Sequence, residues 1–271
     1  MAYRNPVDAL CNIDHHDSAS TAFVLVYNEV FQRDQFEDFA NLARHHRFRF
    51  YNAPSTGETI GDKLLTNAVL SRAGISVPPL AGDQATETVF SNAKIGTHAP
   101  TRIVDPGEPL DASRYNTRFI NTAHEYKGKF YHVALRALAI TGTLVSAYVR
   151  LRPTGQAEAS VHASDTPLDP MLISYFHETL VENNRPHLVT LCGQIGDVLG
   201  PGFYAHDILP SQESGELYVC ETGFKFDDQD LREVLWPISS DLPFLIDHFT
   251  VRIADLAAEE IANQCFSASL P

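Results

Sequence analysis

The chain has 271 residues, long enough for one large domain or two modest ones with a substantial core. It is 44% hydrophobic and 20% charged, the composition of a globular protein. Its net charge of −14 argues against a general binder of nucleic acid or anionic membrane, both of which need a basic surface, while leaving room for a local basic pocket that takes a small anion.

Residues 1–20 are polar and contain Asp14-His15-His16-Asp17. That cluster reads either as a metal site or, by composition, as a loop ahead of the first element. No apolar h-region marks a signal peptide. Residues 21–27 are a predicted buried strand, residues 30–46 carry helical spacing, and residues 47–51 alternate as a strand, a β-α-β start. Residues 62–73 are a predicted helix. Asp62 caps it, Leu64, Leu65, Ala68, Val69 and Ala73 form its apolar stripe, and Gly74 ends it. Residues 75–79 lead away extended. Residues 81–117, rich in Thr, Pro, Gly and Asp, read as loops around one short strand near Val89-Phe90.

From Arg118 the pattern changes to strands. Residues 118–122, 129–139 and 143–151 form a predicted antiparallel meander, with turns at Lys127-Gly128 and Thr141-Gly142. The apolar stretch 131–151 contains Arg136 and Arg150 and is not a membrane span. A polar loop covers 153–170. Helices follow at 169–180 and 186–199, then a hairpin of 203–209 and 217–221, then an amphipathic helix at 243–264. The four cysteines (Cys11, Cys192, Cys220 and Cys265) lack metal-ligand spacing and are too few for a disulfide scaffold, so a reduced, cytoplasmic setting is expected.

The hairpin carries the chemistry. Asp207 and Glu221 sit inside apolar strand runs, where a carboxylate is costly without a positive partner. A hairpin centred on Ser214 sets them directly opposite each other, about 5 Å apart at Cβ. Two carboxylates so close suit a hard divalent cation such as Mg²⁺ between them. The alternative is that both lie at strand ends facing solvent. Arg136 is flanked by apolar residues and suits phosphate or carboxylate recognition, or else is a structural ion-pair partner. Arg150 and Arg152 suit a substrate carboxylate or, equally, an exposed strand end. His206 is expected to point away from Asp207 and to be packed. Cys220 reads as a small core residue.

Three stretches in order resemble the ATP-grasp superfamily in its glutathione-synthetase-like form: Gly61-Asp-Lys through Ala73-Gly-Ile-Ser-Val-Pro78, Arg118-Phe-Ile-Asn-Thr through Val149-Arg150, and Gly202-Phe-Tyr-Ala-His-Asp-Ile-Leu209 with Gly215-Glu-Leu-Tyr-Val-Cys-Glu221. The resemblance covers most of residues 50–228. It implies an α+β, two-lobe architecture with antiparallel sheets: a short N-terminal α/β region over residues 1–60, then an ATP-grasp-like domain over 61–271. Its small lobe would span about 75–120 and its large lobe about 121–271. It implies an ATP-dependent ligase that activates a small-molecule or peptide carboxylate as an acyl phosphate for attack by an amine or other nucleophile. The alternatives within the fold are a catalytically degenerate binding protein and a small-molecule kinase.

Carried over residue by residue, the resemblance gives Asp207 and Glu221 to Mg²⁺. It gives Lys63, Lys94 and the segment Phe119, Ile120 and Asn121 to ATP, and the catalytic position to Arg136. Two departures stand out. The family's Glu-x-Asn is here Glu221-Thr222-Gly223, so the third metal ligand is missing unless Asp227 or Asp228 replaces it. The family's V-x-K-P strand is absent, and Lys94 beside Gly96-Thr97-His98 is the nearest substitute.

Overall fold

The computed structural model describes residues 22–24, 49–95, 101–155, 160–224, 229–245 and 252–267. The Asp14–Asp17 cluster, the predicted helix at 30–46, the segment 96–100 and Asp227 and Asp228 lie outside them.

Strands β1 (Ala22–Val24) and β2 (Arg49–Tyr51) pair in parallel, as a β-α-β start requires. At the end of β2, Asn52 adopts a left-handed conformation (φ 63°), which asparagine tolerates. Its side-chain oxygen accepts the Phe203 N–H at 2.7 Å, and its own N–H donates to the Pro201 carbonyl. These bonds tie the N-terminal strands to the base of the later hairpin.

Helices α1 (Pro54–Gly61) and α2 (Lys63–Arg72) follow. The expected cap is present: Asp62 accepts from the N–H groups of Leu64 and Leu65. Gly74 terminates the helix at φ +80°. The expected apolar stripe is not what α2 buries. The buried residues are Lys63, Thr66, Asn67 and Leu70, while Leu65 is 44% exposed. Polar partners explain this: Asn67 donates to the Pro78 carbonyl and the Tyr115 hydroxyl, and Thr66 to the Thr59 carbonyl.

Residues 81–117, expected as loops with one strand, hold a three-stranded antiparallel sheet. Strand β3 (Val89–Asn92) lies between β4 (Arg102–Val104) and β5 (Tyr115–Arg118). Alternation is too short on β4 and β5 to show in sequence; on β3 and β5 every second residue is buried. Arg118 thus ends a strand of this sheet, and residues 119–122 are the link to the next sheet, not the first strand of a meander.

The second sheet has five antiparallel strands: β6 (Ala123–Tyr126), β7 (Lys129–Ile140), β8 (Thr143–Pro153), β9 (Phe203–Pro210) and β10 (Leu217–Gly223). Strand β7 is long enough to pair with β8 along one edge and with β6 and then β9 along the other; β10 lies beyond β9. The Lys127-Gly128 turn has positive φ at both positions, the twist-matched hairpin geometry.

One face of this sheet is core. Val133, Leu135, Ala137, Val149, Leu151 and Ile208 pack against α3 (Pro170–Phe176) and α4 (Arg185–Leu199) through Leu172, Ile173, Phe176, Leu188 and Ile195. Each of these Val, Leu, Ile and Phe side chains contributes about 1.5–3 kcal/mol by burial. The helix expected over 169–180 widens after Phe176 into a π-helical turn, His177–Glu182. Helix α5 (Gln229–Leu235) and a 3₁₀ turn, Trp236–Asp241, were not anticipated. Of the expected helix at 243–264, Pro243–Leu245 is a 3₁₀ turn and Arg252 onward is helical, α6 spanning Arg252–Ser267. No helix among the described residues is long and apolar enough to cross a membrane.

Candidate anion and metal site

The other face of the five-stranded sheet is polar and charged. Pairing in register sets Arg152 opposite His132, Arg150 opposite Ala134, and Tyr148 opposite Arg136. On the far side of β7, Asp207 stands opposite Arg136. On β10, Glu221 stands opposite Asp207, as expected from sequence. The route to that pairing differs from a simple symmetric turn. From Leu217↔Pro210 to Val219↔Ile208 the register is one residue short of setting Glu221 against Asp207; continued, it would oppose Cys220 to Asp207 and turn Glu221 toward the core face. A bulge between Val219 and Glu221 corrects it. Bulges re-aim side chains in this way.

The two carboxylates are held by side chains from separate elements. Arg136 Nη1 donates to Asp207 Oδ1 at 2.8 Å, and Arg150 Nη1 is 3.7 Å from the same oxygen. Lys63 Nζ, from the first turn of α2, is 3.6 Å from Glu221 Oε1. Lys63 and Arg136 are almost fully buried. Burial pushes the Glu221 carboxyl above its ordinary value; Lys63 offsets this, and Asp207 adds to it. Glu221 nevertheless keeps a third of its side-chain exposure, so its carboxylate remains accessible to solvent.

Lys63 also anchors the three-stranded sheet: its backbone N–H donates to the Lys94 carbonyl, beside an Asp62–Ile95 bridge. Lys94 itself points elsewhere, its Nζ donating to the Ala112 carbonyl at 3.0 Å. The link 119–122 runs between the sheets. The Phe119 N–H donates to the Thr88 carbonyl and its ring meets His132 edge-on at 6.5 Å. Ile120 is buried. Asn121 accepts from the Ala123 N–H through its side chain and from Gln212 through its carbonyl. The structure therefore brings Lys63, Arg136, Asp207 and Glu221 together and leaves Lys94 apart.

Arg150 belongs with them, which sequence left open. Arg152, read either as a substrate group or as an exposed strand end, is 2% exposed. His206 faces the core as expected, its Nδ1 3.0 Å from Thr222 Oγ1. Burial drives its pKa down to about 3. Cys220, the bulge residue, is half-buried and carries a thiol pushed far up by burial and then by Asp207 and Glu221, which disfavours the reactive thiolate.

The donor set suits a hard cation that also binds phosphate. Asp207 and Glu221 supply two oxygen ligands on one face, the number Mg²⁺ commonly takes from protein beside phosphates. Among the described residues no group of three or more His, Cys, Asp or Glu side chains forms a self-sufficient metal cage. Gly223, opposite Ala205, offers no side-chain ligand. Lys63, Arg136, Arg150 and Arg152 outnumber the two carboxylates, so this face favours an anion.

The sequence matches no family model and no curated protein. Solved structures similar to the chain include N5-carboxyaminoimidazole ribonucleotide synthetase from Thermotoga maritima (14% identity over 78% of this chain and 53% of that one, TM-score 0.46). They also include the ATP-grasp ligase PsnB in complex with a phosphomimetic variant of a minimal precursor, Mg and ADP (13% identity, 78% and 65%, TM-score 0.46). A third is a biotin carboxylase complex from Campylobacter jejuni (15% identity, 80% and 51%, TM-score 0.49). The chain spans between about half and two thirds of the length of these structures. The architecture it shows, α+β with two antiparallel sheets and a short N-terminal strand pair, is the one its ATP-grasp resemblance implies.

Proposed function

We propose that the chain is an ATP-dependent ligase that activates a small-molecule or peptide carboxylate as an acyl phosphate. The site would lie between a small lobe (about 75–120) and a large lobe (about 121–271). The observation that carries the reading is the bulge in β10, which sets Glu221, held by Lys63, against Asp207, held by Arg136 and Arg150. Cations from α2, β7 and β8 converge on two opposed carboxylates on one sheet face. A phosphate chain bridged by a metal is the ligand that needs both signs at once.

In this reading a substrate carboxylate oxygen attacks the γ-phosphorus, the bond to the β–γ bridging oxygen breaks, and ADP departs. The amine then attacks the acyl carbon, and inorganic phosphate leaves. Arg136 holds the equatorial oxygens of the transferring group and offsets their charge. Lys63 neutralises the β- and γ-phosphates from the small-lobe side. Phe119, Ile120 and Asn121 line the adenine position. Mg²⁺ held by Asp207 and Glu221 would supply charge neutralisation on the phosphate oxygens. Lys94, bonded to Ala112, takes part only by leaving that bond.

A second reading, a binding protein of the same fold without catalysis, is favoured by one observation: protein cations already contact both carboxylates, and Gly223 stands where a third ligand belongs. The two readings part on turnover. Thermal shift with millimolar Mg·ATP and a non-hydrolysable analogue tests binding, and no shift with either overturns both. ADP release with a pool of amino acids and small acids then supports the ligase; binding without release supports the second reading.

A further inference from the structure

Arg152 is the most deeply buried cation on the charged face. It is 2% exposed, and its Nε and Nη1 are enclosed with no hydrogen-bond acceptor. Among the described residues no carboxylate lies within ion-pair distance of it; Asp207 is taken by Arg136 and Arg150. Its cross-strand neighbour, His132, whose pKa is lowered by burial and by Arg152's own charge, carries no negative charge to offset it. A buried guanidinium without a counter-charge costs several kcal/mol. Such a cost persists in a fold when a ligand repays it.

The location defines the ligand. Strand order places β8 on the opposite border of the sheet from β10, so Arg152 is three strands from Glu221 and its Lys63. Arg152 follows Arg150 by two residues on the same face, about 7 Å along the strand. The planar fork of arginine matches an oxyanion, carboxylate above all.

We propose that Arg152, with His132 opposite, forms a second oxyanion subsite that takes a further carboxylate of the same substrate whose first carboxylate is activated near Arg136 and Arg150. The substrate class is then a dicarboxylic compound, such as an acidic amino acid or a peptide terminus bearing an acidic side chain. The role of the bound group rests on the ligase reading, but its binding is independent of nucleotide.

The test uses thermal shift without nucleotide, with succinate, glutarate and adipate, the matching monocarboxylates, and inorganic phosphate. Wild type is expected to show a saturable rise with one dicarboxylate and none with its monocarboxylate. In Arg152→Gln the midpoint concentration rises at least about tenfold, the loss of one charge-assisted bond. Arg152→Lys, which keeps the charge and loses the fork, falls between them. The ligand-free Tm of Arg152→Gln stays at or above that of wild type, because an uncompensated charge is removed. Mg·ADP shifts all three proteins alike, which separates failure here from failure of the nucleotide reading. No dicarboxylate response in wild type, an equal response in Arg152→Gln, or unfolding of both variants overturns the proposal. So does loss of the phosphate or Mg·ADP response in Arg152→Gln, which would assign Arg152 to the nucleotide's phosphates.

Discussion

Glu221 faces Asp207 because β10 carries one extra residue, Cys220, between Val219 and Glu221. Were Cys220 paired in the ladder and not bulged out, Glu221 would share the core face with His206, and Asp207 would look across at a thiol. The pair then gathers Lys63, Arg136 and Arg150 around it.

Removing Asp207 is expected to cost more stability than removing Arg150. Asp207→Ala leaves the buried Arg136 beside Arg150 without the carboxylate that both contact, a loss of about 2–4 kcal/mol. Arg150→Met leaves the 2.8 Å Arg136–Asp207 bond in place and costs about 1 kcal/mol or less. Urea midpoints at constant m-value measure both.

Lys63→Met is expected to weaken Mg·ATP binding about tenfold, roughly 1.4 kcal/mol. It also removes the cation that offsets burial of Glu221. The Glu221 carboxyl then protonates at a higher pH, and because a metal needs the carboxylate, the acid limb of Mg·ATP binding moves upward in pH. Isothermal titration across the acid range reads the shift; a limb unmoved by the substitution contradicts the Lys63–Glu221 coupling.

His206 makes the fold acid-sensitive. Its folded pKa of about 3 lies below the ordinary value of 6.5, so the unfolded chain binds the extra proton between those limits. Stability contributed by the neutral ring is full above pH 6.5 and is lost as pH falls toward 3, at a slope of about 1.4 kcal/mol per pH unit. His206→Asn, which keeps a group able to bond Thr222, is expected to flatten that slope between pH 6 and 4. Parallel unfolding curves for the two proteins would contradict it.

Two glycines on α4, three residues apart, are expected to respond in opposite directions to alanine. A Cβ on Gly196 meets the Gly142 backbone nitrogen at 2.5 Å, where the β7–β8 turn crosses the helix; Gly196→Ala is expected to cost about 2–3 kcal/mol. Gly193 has open space at that position, and Gly193→Ala gains up to about 1 kcal/mol from helix propensity. Thermal unfolding of the two variants decides it.

The sequence alone located what depends on near neighbours. Asp62 caps α2 because its own backbone geometry places it there, the Lys127-Gly128 turn declares its hairpin, and the apolar runs around Asp207 and Glu221 mark them as costly strand carboxylates. Alternation on β7 and β8 announced two long strands. Short strands β4 and β5 lacked enough alternation to be seen, and the polar face of α2 was misjudged because Asn67 and Thr66 find partners far along the chain. Only the tertiary structure decided the site's charge balance. Which cation meets which carboxylate depends on a bulge, on strand order and on where α2 docks. Those are settled by packing of the opposite, apolar face, whose side chains carry the burial energy and leave the charged face to follow.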